Sequence, residues 1–137
     1  MKDTHMRRLS GILWFLLVGS AISFAQEKTV IPRQILTSAG QMPEFPGGND
    51  ALKTYLAKSV RYPKSAYKKG IQGRVLARFI VEPDGSVSDP EIISSLSEDC
   101  DKETLRVIRK MPRWHPARQN NAFVAVYYTL PITFSLE

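Results

Sequence analysis

Hydrophobic spacing changes character several times along this chain. Residues 12–18 form an unbroken apolar run. From Asn49 onward, Leu52, Tyr55, Leu56 and Val60 recur at intervals of three and four, which predicts a helix with one apolar face. Asn49 or Asp50 is available as its N-cap, and Arg61-Tyr62-Pro63 ends it because a residue before proline avoids the helical region. Residues 64–69 allow one or two further turns, closed by Gly70. Over residues 73–82 the period drops to two, with Val75, Ala77, Phe79 and Val81 on one face of a predicted strand. Pro83-Asp84-Gly85-Ser86 reads as a hairpin turn, since Gly or Asp readily takes the positive φ such loops need. Residues 87–96 return as a second strand, in which Pro90 predicts an edge position or a bulge. A second helix is predicted over residues 99–111. Acidic residues open it, Arg106, Arg109 and Lys110 close it, and Thr104, Leu105, Ile108 and Met111 face inward. After a loop holding Trp114, His115 and residues 119–121, residues 122–136 alternate almost without fault as one last strand. Val124, Val126, Tyr128, Leu130, Ile132, Phe134 and Leu136 share its apolar face. The order predicts an α+β domain, two helices packed on one face of a three-stranded antiparallel sheet.

The apolar run near the start has a separate explanation. Arg7 and Arg8 precede it, and Ser23-Phe24-Ala25 places small residues three and one before Gln26. That is the layout of a secretory signal peptide cleaved after Ala25. An uncleaved membrane anchor is the alternative, although residues 9–25 supply 17 positions where about 20 mostly apolar ones are wanted. Either way the remainder works outside the cytoplasm. Residues 1–25 are therefore set aside as leader or anchor, residues 26–41 as a polar linker, and residues 42–137 as the folded domain. Phe45, between two prolines, is expected to pack on that domain.

Composition narrows the chemistry. Of 137 residues 43% are apolar and 23% charged, inside the globular range and sufficient for one core. The formal net charge is +6, and loss of Lys2, Asp3, Arg7 and Arg8 with the leader leaves +4. Such a balance admits nucleic acid, anionic membrane or acidic partners, and export argues against the first. A single cysteine excludes an internal disulfide framework and multi-cysteine metal sites. Cys100 itself reads as a small buried hydrophobe. No nucleophile elbow, phosphate loop, zinc-protease helix or dinucleotide fingerprint is present. Gly70-Ile71-Gln72-Gly73 has the spacing of an RNA-clamping loop, but it leads into a strand where that motif needs a helix. No enzymatic activity, cofactor or metal is expected. Trp114, between Met111-Pro112 and Pro116, is expected to close the helix-to-strand connection over the core.

An ordered series of short motifs adds a further reading. Pro43-Glu44-Phe45-Pro46-Gly47-Gly48, Tyr62-Pro63, Gly70-Ile71-Gln72-Gly73-Arg74-Val75 and Asp84-Gly85-Ser86-Val87 are followed by residues 105–116 and then by Tyr128-Thr129-Leu130-Pro131-Ile132-Thr133-Phe134. Residues 41–137 thereby resemble the C-terminal domain of TonB energy transducers, in the form common among Bacteroidetes. The resemblance implies the fold already inferred from periodicity. It also implies a non-enzymatic role: binding the TonB box, a short extended segment of TonB-dependent outer-membrane receptors. Force from an inner-membrane ExbB/ExbD motor would pass through that contact in energy-coupled transport. Tyr62 and Pro63 fall in the family's receptor-facing region, and the last strand is its peptide-pairing edge, which also permits a monomer or an edge-paired homodimer. Two features of the full transducer are not matched. Residues 9–25 contain no histidine, and no long Pro-, Lys- and Glu-rich spacer precedes the domain. A free periplasmic peptide-binding adaptor or competitor, without energy coupling, is the second reading.

Proline sets the register expected at that edge. Pro131 has no N–H and is tolerated best where that group would face the open side. Backbone direction alternates with period two, so in an unbulged strand Ala125, Tyr127 and Thr129 should point outward and bond the peptide. Val126, Tyr128 and Leu130 should bond the neighbouring strand and fill the core.

Overall fold

The computed structural model describes residues 33–137, so the predicted leader lies outside the described residues. Helix α1 spans Asn49–Ser59. Its N-cap is Gly48, at φ 88°, and not Asn49 or Asp50. The turn through Gly47 and Gly48, closed by Gly48 N–H donating to the Phe45 carbonyl at 2.8 Å, starts the helix one residue early. Only Leu52 of the predicted α1 stripe is fully buried, while Tyr55, Leu56 and Val60 remain half-buried against the core. A short α2, Lys64–Lys68, follows with Pro63 as its extended N-cap.

Strands β1 (Gly73–Val81) and β2 (Val87–Ser94) form the expected hairpin. Gly85 N–H donates to Glu82 O, and Glu82 N–H to Ser86 O, both at 2.8 Å. Pro90 sits in β2, the outer strand, within the register shift between Arg78 and Ile80 of β1. A bulge at an edge resolves the missing N–H in both of the ways proline permits. Helix α3, Glu98–Arg109, is capped by Ser97, whose hydroxyl accepts from Cys100 N–H at 3.2 Å. Its buried face is Cys100, Thr104, Val107 and Ile108. Val107 takes the inward place expected of Leu105, because positions 100, 104, 107 and 108 share one helical face; Tyr55 of α1 also donates to the Val107 carbonyl at 2.9 Å.

The predicted last strand divides. Short strands β3 (Ala117–Gln119) and β4 (Ala122–Val124) pair with each other around Asn120 and Asn121, both at positive φ (51° and 65°). Two consecutive positive-φ residues make the tight hairpin that twisted strands favour. At Ala125 the chain changes partners and continues as β5, Val126–Phe134. β5 pairs antiparallel with β1 at nine successive positions, Val81↔Val126 to Gly73↔Phe134, with no bulge. The fold is α+β, with a three-stranded antiparallel sheet of order β2-β1-β5 whose inner face, Val75, Ala77, Phe79, Val81, Val126, Leu130, Ile132 and Phe134, meets the helices. Phe45, Trp114 and Cys100 are in that core, as expected from the sequence.

Candidate functional site

Among the described residues, β5 has β1 on one side and no named strand on the other. Tyr127 N–H donates to Leu36 O at 2.9 Å, so the backbone groups of Tyr127 point away from β1. By the period of two, Ala125, Thr129, Pro131 and Thr133 share that direction. The Ala125 carbonyl confirms it by accepting Leu36 N–H, also at 2.9 Å. Pro131, lacking N–H, therefore leaves no sheet bond unmade. Side chains of the same odd positions lie on the outer sheet face, where Arg78 places its guanidinium 4.3 Å from the centre of the Tyr127 ring and bonds Glu91 at 2.9 Å. That bond to Glu91 is the main cause holding the Arg78 pKa above its ordinary value.

Beyond Thr129 the edge borders a groove of about 320 Å³. Leu56, Val60 and Tyr62 line one side, and residues 131–135 line the other. Tyr62 stands edge-on to Phe134 with ring centres 5.7 Å apart, and its hydroxyl donates to the Ile71 carbonyl. Desolvation raises its phenol pKa. An ionic clamp fixes the backbone just before Tyr62. Glu103 bonds Arg106 at 2.8 and 2.7 Å and accepts Arg61 N–H at 2.7 Å. Arg106 in turn donates to Ser59 O at 2.8 Å. The bond from Arg106 is the main cause lowering the Glu103 carboxyl below its ordinary pKa.

These contacts show where each predicted residue stands. Tyr62 is in the groove. Pro63 is not among its lining residues and serves as the α2 cap. Ala125 and Tyr127 are bonded to Leu36, and Thr129 is exposed between that contact and the groove. Leu56, Val60 and Phe134 form the apolar wall that the sequence reading assigned to ordinary core. Helical spacing could mark the α1 stripe, but not that its last turn overhangs the sheet edge. The site offers backbone donors and acceptors beside an apolar trough, which suits an extended chain. Among the described residues, no group of three or more His, Cys, Asp or Glu side chains is placed to hold a metal ion.

Residues 58–136 match the family described as Gram-negative bacterial TonB protein C-terminal. The chain is 32% identical over 111 residues to a protein TonB of Pseudomonas putida, covering 73% of this chain and 45% of that protein. It is 31% identical over 87 residues to protein TonB of Helicobacter pylori strain ATCC 700392 / 26695, covering 63% and 29%. The solution structure of the Helicobacter pylori TonB C-terminal domain superimposes with a TM-score of 0.50 at 27% identity, over 64% of this chain and 92% of that one. The chain spans less than half the length of these curated relatives.

Proposed function

Because the chain belongs to the family of Gram-negative bacterial TonB C-terminal domains, a family of non-enzymatic interaction proteins, we propose that it is a periplasmic module that takes an extended receptor segment onto the edge of β5. The segment is the TonB box of an outer-membrane receptor, and the contact serves energy-coupled transport. One observation carries this reading: beyond Tyr127, whose N–H points away from β1, the exposed edge residues Thr129, Pro131 and Thr133 of β5 run beside an apolar groove. The added strand gains main-chain hydrogen bonds from Thr129 and Thr133, and alternate side chains rest against Leu56, Val60 and Tyr62. Residues 1–25 act as leader or anchor in this reading, and an ExbB/ExbD motor supplies the force.

Titration of the chain with peptides copied from the periplasmic N-terminal segments of the host's receptors tests the proposal. Amide shifts in residues 125–135, the Tyr62 segment and the Leu36 segment that borders them are expected. Binding elsewhere, or none, would refute it. A second reading keeps the peptide and drops the force, and it draws on the absence of histidine from residues 9–25. Co-purification of full-length protein with ExbB/ExbD separates the two, since only the transducer requires that association.

A further inference from the structure

The edge of β5 is not the same along its length. At its start, Leu36 takes both available outward groups, donating its N–H to Ala125 O and accepting Tyr127 N–H, each at 2.9 Å, in a parallel bridge. Its side chain packs against the core cluster. The segment does not follow β5 further. It bends at Thr37, Gly40 N–H donates to the Gln119 side chain at 2.6 Å, and Gln41 exchanges two backbone bonds with Arg118 at 2.9 and 3.0 Å. Thr129, Pro131, Thr133 and Ser135 are exposed.

We propose that Leu36 is an internal stand-in for the partner strand, so that an incoming peptide seats first on residues 129–135 and completes its pairing at Tyr127 and Ala125 only by displacing Leu36. This rests on the reading that β5 receives a peptide, and it adds a competitor and an order of events. Tyr127 has one N–H, already directed at Leu36 O, and a partner strand in register along β5 requires the same hydrogen. Leu36 is held on the edge by one two-bond bridge and the contact of its half-buried side chain with the core, and each such bond favours the closed state only a few-fold after water is counted. Its tether to the Gln41–Arg118 pair is short, which keeps the local concentration of Leu36 in the millimolar range. The stand-in is therefore quick to return and weak enough to lose to a longer ladder. It also keeps the start of an exposed edge from pairing with unintended strands.

The test uses the full chain and a ten-residue peptide copied from the periplasmic N-terminal segment of a receptor of the same host. Leu36→Pro removes the donor to Ala125 O, one of the two bonds of the bridge, and should bind the peptide about two- to tenfold more tightly, the factor one modest hydrogen bond supplies. In the unmodified chain, saturating peptide should speed hydrogen exchange at the Leu36 amide while the Tyr127 amide stays slow. That second readout stands even where Leu36→Pro folds poorly. Unchanged or weaker binding by Leu36→Pro, with a Leu36 amide that stays slow under saturation, overturns the displacement and leaves peptide recognition standing. Failure of either form to bind overturns recognition at β5, and the displacement with it.

Discussion

Trp114 lies against three aromatic rings, with Phe45 and Phe79 at 5.5 Å and Tyr128 at 4.8 Å between ring centres. It is 3% exposed, and its backbone N–H donates to Gly85 O at 2.8 Å. One residue thus joins the linker side, the sheet and the β1–β2 turn. Trp114→Ala should cost about 3–5 kcal/mol in a denaturant melt, as for other large buried aromatics. Gly85 is coupled to it from the other side, because a Cβ there would fall 2.1 Å from the Trp114 carbonyl oxygen, at φ 90°. Gly85→Ala should therefore destabilise by more than about 1 kcal/mol, outweighing the gain from reduced unfolded-state freedom. Glu103 acts differently, through charge. Its carboxyl pKa is lowered in the folded chain, so its contribution is present above the ordinary glutamate range near pH 4.3 and is lost as pH falls through the lower folded value. Asp84, lowered mainly by its bond from Ser86, works in the same direction. The melting temperature should hold level down to about pH 5 and decline below it. Glu103→Gln should lower it by a few degrees at neutral pH and make the acid-side decline shallower, as read by melts across pH.

At the scale of elements, β5 combines two roles on alternate residues. Even positions bond β1 and fill the core, while odd positions turn their backbone outward. Tyr127→Pro should release Leu36 and weaken peptide binding with little loss of stability, whereas Tyr128→Pro removes an inward N–H and should unfold the domain. Circular dichroism melts and peptide titration on the two variants distinguish these outcomes, and unfolding by Tyr127→Pro would mean that the outward register is wrong. The strand, its face and its direction were legible because proline and strict alternation act locally. The division at Ala125 was not, because the apolar alternation of residues 122–136 continues across a change of partner. The same limit applies to the site. Helical spacing identified Leu56 and Val60 as inward-facing, but their half-exposure depends on where α1 ends relative to β5. Leu36 carried no signal at all: its pairing is a single bridge to a strand some 90 residues away in sequence.

At the scale of the whole molecule, the proposed binding role and any coupling to a motor fall on different parts of the sequence. Residues 34–137 form one compact unit, and the match to the TonB C-terminal family falls within it. Among the described residues no helix is long and apolar enough to cross a membrane. Residues 9–25 are the apolar run that the sequence offers as leader or anchor, and their 17 positions fall short of the usual span and end in Ser23-Phe24-Ala25. The two fates of that segment lead to different molecules. Under the proposed reading, a chain cleaved after Ala25 would act as an adaptor or competitor for receptor segments. Under the same reading, a chain that retains residues 9–25 would act as an anchored transducer and would need the motor partners. Cleavage after Ala25 is the expected outcome. The intact mass of protein from the native host should then correspond to a chain beginning at Gln26, recovered in the soluble periplasmic fraction with a net charge of +4. A full-length mass in the inner-membrane fraction, with ExbB/ExbD co-purifying, would instead establish the anchored transducer.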